Sequence, residues 1–215
     1  MNKLNINRFF AKFPFPKLAS NIAGFYALLM ALTFIFGLVT TALDGVNVFA
    51  AENIINIIVS LINIAFYVVI SNMFRRSDNN KSEATKAVFL LVFFDFVILA
   101  IRMILSGIFL IFFLSPISLY IVAGILYFVF LVLEKNKENK NNLKALTILG
   151  IIICALSFLS FIFNIYVSIS AFVTYQNGYL NIIYLIISLF SYLAHFGISV
   201  IYLLYPLYIK RETYY

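Results

Sequence analysis

The chain has 215 residues, of which 64% are hydrophobic and 11% charged, and its mean hydropathy is +1.06. Soluble domains are about 45–50% apolar and about 25% charged, so a water-soluble globule, a disordered chain and a coiled coil are excluded. A single cysteine, Cys154, excludes a disulfide scaffold, and the formal net charge of +7 would suggest nucleic acid as a partner only on a soluble chain.

What remains is an all-α, polytopic integral membrane protein whose main partner is the lipid bilayer. Fifteen Lys+Arg are present, and all but Arg102 lie in four hydrophilic segments. Lys3, Arg8, Lys12 and Lys17 precede the first apolar run, and Arg75, Arg76, Lys81 and Lys86 follow the second. Lys135, Lys137, Lys140 and Lys144 follow the fourth, and Lys210 and Arg211 follow the last. The intervening loops around Leu43–Glu52 and Phe172–Leu180 carry neither Lys nor Arg. This asymmetry is the positive-inside pattern and predicts both termini in the cytoplasm, with the plasma membrane as the expected location. The basic excess is then an orientation signal, and no nucleic-acid partner is expected.

Residues 1–19 form a basic and aromatic segment in which Leu4, Ile6, Phe9, Phe10, Phe13 and Phe15 interleave with the cations. That pattern suits a short element on an anionic leaflet, and a flexible basic tail is the plainer alternative. Pro14 and Pro16 end any helix there and set the start of the first span. The apolar run Ile22–Leu43 is too long for a signal-peptide core, and Asp44 stands before the candidate cleavage site, so an uncleaved span is expected.

Six spans are predicted within residues 20–208: Ser20–Ala42, Asn53–Phe74, Ala87–Ser106, Pro116–Leu133, Leu146–Ile169 and Asn181–Tyr205. Residues 209–215 are expected as a cytoplasmic tail. Spanning segments must satisfy their own backbone hydrogen bonds, and nothing alternates as a barrel strand would, so the spans are helices. The run Ala87–Leu133 would be about 70 Å long as one helix, which requires a reversal near Gly107–Pro116. Gly107–Leu114 is too apolar for a solvated loop and is expected at the outer interface or as extra helix. Ser77–Glu83 and Glu134–Lys144 read as solvated cytoplasmic loops. Asn53–Leu61 aligns without gaps to Asn181–Leu189, which suggests that spans one–two and five–six repeat one hairpin, with spans three–four as a third.

Small and polar residues mark the faces that meet other helices, because lipid is as apolar as leucine. The first span carries Ala23, Ala27 and Ala31, then Thr33, Gly37 and Thr41. The second carries Asn53, Asn56, Ser60, Asn63 and Tyr67 at steps of three and four, which is one helix face. The sixth repeats those steps with Asn181, Tyr184, Ser188, Ser191 and His195, and the fifth offers Ser157, Ser160, Asn164 and Ser168. These seams read either as interhelical hydrogen-bonding glue or as the lining of a hydrated cavity.

Asp95 and Arg102 lie within the third span, Asp95 near mid-membrane. A charge at a helix centre costs about 2.5–3.5 kcal/mol on insertion scales, so each should find a partner. Counting depth from the helix ends puts His195 level with Asp95. An Asp95–His195 bond is therefore expected, with Tyr67 nearby, and Arg102 is expected to face polar groups such as Ser60 and Ser188. The candidate ligand-binding or coupling residues are thus Asp95, Arg102, His195, Asn63, Tyr67, Ser60 and Ser188. The plainer reading of the charges is a structural pair that fixes helix register.

No hydrolase, phosphate-loop or metalloprotease motif occurs, and one histidine excludes a multi-histidine metal site. No enzyme activity, metal or cofactor is expected. Two functions compete. The first is a non-enzymatic subunit, immunity-type or regulatory protein that acts on another membrane protein through helix contacts. The second is a small-solute transporter or substrate-binding membrane subunit that uses the intramembrane polar residues for a small-molecule ligand.

Overall fold

Pro14 and Pro16 fix where the first helix can begin. The ring of Pro16 costs nothing in a first turn, whose backbone N–H groups have no helical acceptor. Helix α1 accordingly runs Phe15–Leu43 in the computed structural model, and the Leu18 N–H donates to Pro14 O at 3.0 Å. The structure describes residues 10, 12–43, 51–77, 80–98, 116–136, 140–175 and 178–214. Helix α2 (Ala51–Arg76) closes on Arg75 and Arg76, cations suited to the negative end of a helix dipole. Asn80 then caps α3 (Lys81–Val92), its side chain accepting from the Ser82 and Glu83 N–H groups. Helix α3 passes into a π-helical turn, Phe93–Ile98. Helices α4 (Pro116–Asn136), α5 (Lys140–Tyr175) and α6 (Gly178–Tyr214) complete the order.

The described residues contain no strand. Among the described residues, four helices are long and apolar enough to cross a bilayer, over Phe15–Leu43, Asn53–Arg76, Lys140–Ser170 and Leu185–Lys210. The apolar part of α4, Leu119–Glu134, is shorter. Rows of large apolar side chains face outward, among them Ile55, Ile58 and Ile62 on α2 and Leu159, Phe163 and Tyr166 on α5. Water would not tolerate so broad an apolar surface, whereas lipid is its natural solvent.

Two predicted loops are partly helix. The Ser77–Glu83 loop ends early because Asn80 offers a cap, so α3 starts at Lys81 rather than Ala87. In the Glu134–Lys144 loop, α4 continues through Asn136 and α5 starts at Lys140, and Glu134 is buried. Solvated polar residues extend a helix past the membrane boundary at little cost. The proposed features at residues 1–9 and Gly107–Leu114 lie outside the described residues, as does Arg102.

Neighbouring helices run antiparallel, as paired contacts show. Ser20 Oγ donates to Ser71 O and Ser71 Oγ donates to Ser20 O, both at 2.9 Å, clipping α1 to α2. Ala19, Ala23 and Ala27 are buried at steps of four, so the predicted small-residue row is used, displaced by one turn toward the helix start. Where α5 meets α6, a Cβ on Gly150 would lie 2.7 Å from Tyr202 O, so only glycine permits that approach. Phe15 of α1 packs on Phe74 of α2 and on Tyr205 and Tyr208 of α6, and Thr85 of α3 bonds Tyr205. The basic ends of these helices therefore gather at one end of the bundle. The buried core is densest there.

Candidate functional site

Away from that basic end, α1, α2, α5 and α6 surround a cavity of about 630 Å³. Helix α1 lines it with Tyr26, Met30, Thr33, Gly37 and Thr41, at steps of four, three, four and four. That spacing keeps one face toward the cavity over about 22 Å of helix, at 1.5 Å per residue. Helix α2 contributes Asn53, Asn56 and Ser60, α5 contributes Asn164, and α6 contributes Ser191, Tyr192 and His195. Met30, Phe34, Leu38, Ile57 and Ile64 give it an apolar side. The polar rows of four helices thus converge on one space.

Several of these groups are already engaged. Thr33 Oγ1 donates to Leu29 O at 2.9 Å and lies 3.1 Å from Ser191 Oγ, tying α1 to α6. Thr41 Oγ1 folds back onto Gly37 O at 2.8 Å, and Asn164 Nδ2 donates to Ser160 Oγ at 3.3 Å. The amide of Asn56, the hydroxyl of Ser60 and the imidazole of His195 form no hydrogen bond with another described residue. They supply both donors and acceptors to the cavity.

Tyr26 and His195 lie at its inner limit, with ring centroids 5.7 Å apart. Tyr26 meets Tyr67 edge to face at 4.7 Å. Beyond Tyr67 sits Asp95, within the π-helical turn. Tyr67 OH donates to Asp95 Oδ1 at 2.6 Å, and Tyr202 OH donates to Asp95 Oδ2. Each carboxylate oxygen therefore has its own phenol donor, one from α2 and one from α6. Tyr127 OH in turn donates to Tyr202 O at 2.8 Å, and Phe96 packs on Tyr202 at 5.5 Å. Gly124 of α4 makes room for Phe96, because a Cβ there would overlap the Phe96 ring. Together these groups form a layer of aromatic rings between the cavity and the basic end.

The expected Asp95–His195 bond is not formed. The expected neighbour Tyr67 is a direct partner, and Tyr202 takes the place given to His195. Thr85 bonds Tyr205 and Asp95 bonds Tyr202, so ten residues along α3 correspond to only three along α6. The two helices cross at an angle, and depths counted as if they were parallel do not match. Ser60 and His195 line the cavity. Ser188 is buried and Asn63 is half-buried, neither of them lining it. The sequence carried a signal for Tyr202 and Tyr26 that went unused. Tyr202 follows His195 by seven residues and Tyr26 precedes Thr33 by seven, two turns along the same face in each case.

Comparison with protein-family models, curated proteins and solved structures finds no match. Among the described residues, no three His, Cys, Asp or Glu side chains converge as metal ligands would. The arrangement is suited to binding: hydrogen-bonding groups and an apolar wall face a space of small-molecule size, and among the described residues no formal charge lines it.

Proposed function

We propose that this membrane protein binds a small, uncharged, partly polar solute in the cavity between α1, α2, α5 and α6, as a transporter or a substrate-binding membrane subunit does. The observation that carries this reading is the convergence of Asn56, Ser60 and His195 on one cavity without hydrogen-bond partners among the described residues. A polar seam that served only as packing glue would spend these groups on neighbouring helices. The subunit or regulator reading, in which helix contacts alone do the work, predicts a closed interior and is the less favoured of the two. Binding here involves no covalent step, since the lining offers amides, hydroxyls and an imidazole without a paired nucleophile and base.

The same proposal includes six crossings of the cell membrane with both termini in the cytoplasm. The gathering of the basic helix ends at one end of the bundle supports it, since cytoplasmic flanks retain Lys and Arg. The cavity then belongs to the outer half of the membrane. The layer of Tyr26, Tyr67, Asp95 and Tyr202 would separate it from the cytoplasmic half, and a shift of the π-helical turn would be the natural way to open that layer.

Single cysteines at Gly37 and Asn56, introduced in a Cys154→Ser background, test the site. A membrane-impermeant maleimide added from outside should label both and leave cysteines at the lipid-facing Ile58 and Ile62 unlabelled. Native mass spectrometry from mild detergent should find a retained small molecule that Asn56→Leu releases. Protection of Gly37→Cys and Asn56→Cys from both sides, with no retained molecule, would refute the reading.

A further inference from the structure

A second recess, of about 780 Å³, lies between α1 and α2 near the basic end of the bundle, apart from the cavity described above. We infer that it is a binding site for the headgroup of an anionic phospholipid, held through its phosphate. Two cations from different helices, Lys17 and Arg75, line the recess. Both are exposed, and neither makes an ion pair with another described residue. Between them stand the amides of Asn21 and Asn72, again one from each helix and both exposed.

The floor is fixed. Ser20 and Ser71 spend their hydroxyls on each other's backbone carbonyl, so they clamp the two helices and leave the cations and amides as the free donors. Gly24 lets the helices come this close, since a Cβ there would lie 3.0 Å from Ser71 Oγ. The result is a rigid concave site rather than a scatter of surface lysines.

Its chemistry selects the ligand. Two positive charges and two amide N–H donors face a common space, which suits an oxyanion. The position selects a lipid over a free ion. Asn21 and Asn72 project outward from helices whose neighbouring faces carry exposed Phe25, Val68 and Val69. Outward amides at the edge of the hydrocarbon need partners, and the phosphate and glycerol oxygens of a lipid stand at that level. Phe25 lines the recess and offers the acyl chain an apolar wall. Basic pockets between membrane helices recognise such headgroups by the same physics. The inference rests on the chain being embedded in lipid and does not depend on a solute occupying the other cavity.

Full-length protein in nanodiscs of phosphatidylcholine doped with phosphatidylglycerol tests it, by native mass spectrometry of the lipid retained on release. Lys17→Gln with Arg75→Gln should lower the retained phosphatidylglycerol about 30-fold, the scale expected for two lost charge contacts. Lys12→Gln with Arg76→Gln removes equal charge from outside the recess, just ahead of α1 and at the end of α2, and should leave retention unchanged. Lys17→Arg with Arg75→Lys should preserve it. The solute cavity is read in parallel by maleimide labelling of Asn56→Cys, which all three variants should leave intact if they fold. Equal loss in the two charge-removing pairs would overturn the site in favour of general surface attraction. Displacement of the lipid by millimolar inorganic phosphate would overturn the lipid assignment, because a free anion would then suffice.

Discussion

At the end of the bundle where α1 begins, Phe15 stacks on Tyr208 at 5.0 Å and meets Phe74 edge-on at 5.9 Å. Twenty-two residues further along the same helix, Gly37 has no atom within 4 Å of where a Cβ would stand. Gly24, between them, is held against Ser71. Helix α1 thus leaves its neighbours as it runs, from a closed aromatic end to an open polar one. The difference shows what organises a bundle in lipid. Apolar side chains alone gain nothing by leaving the acyl chains, so close packing depends on shape, on small residues and on hydrogen bonds. The closed end has all three. At the open end, polar side chains keep the helices apart around a space they line.

The sharpest way to break this contrast is to add a side chain at each of two glycines. Gly150→Leu at the closed contact would drive a side chain into the backbone of Tyr202 and Leu203. It should destabilise the protein by about 1–3 kcal/mol, the usual cost of overpacking, or prevent folding. Gly37→Ala at the open end should do the reverse and stabilise the helix by about 0.5–1 kcal/mol, since it lowers backbone entropy and meets nothing. Thermal unfolding in detergent measures both. Similar losses at the two sites would mean that the open end closes in the membrane.

The layer between the two ends supplies the next largest effect. Asp95 has two phenol donors, and removing a donor from a buried acceptor costs more than removing the whole set. Tyr67→Phe with Tyr202→Phe should therefore cost about 1–3 kcal/mol. Adding Asp95→Leu to that pair should recover part of the loss, because no polar group is then left unsatisfied. If Asp95→Leu instead deepens the loss, the carboxylate has a partner beyond the two tyrosines.

The helical class was legible because it rests on composition, and the polar seams because a step of three or four places residues on one face whatever the packing. Asn56, Ser60 and His195 each lie on such a seam, and the structure places all three on one cavity. The second partner of Asp95, Tyr202, was not legible. That pairing depends on how α3 crosses α6, and a crossing angle is a property of two surfaces. The π-helical turn at Phe93–Ile98 left no mark in the spacing either, since the extra residue in a widened turn has no composition of its own. The start of α3 could have been read from Asn80 followed by Glu83 three residues later, a cap with an acidic third position, had the Asn-rich stretch not suggested only a loop.

The smallest effect separates a wet cavity from a dry one. Ser20–Ser71 at the closed end and Thr33–Ser191 at the open end are both hydroxyl pairs joining two helices, with oxygens 3.3 Å and 3.1 Å apart. Interhelical bonds in membranes average about 0.6 kcal/mol and reach about 1.7 kcal/mol. The single changes Ser20→Ala and Ser71→Ala should each cost an amount in that range, because each removes a bond to a backbone carbonyl of the other helix. The cycle of Thr33→Val with Ser191→Ala should come out near zero, because water in the cavity can satisfy whichever hydroxyl remains. Thr33→Val keeps the shape of the side chain, and Leu29 O retains its ordinary helical donor, so the cycle isolates the contact with Ser191. A coupling at Thr33–Ser191 as large as the cost of either serine change would mean that hydrocarbon rather than water fills the space, and a polar solute would then have no route to Asn56.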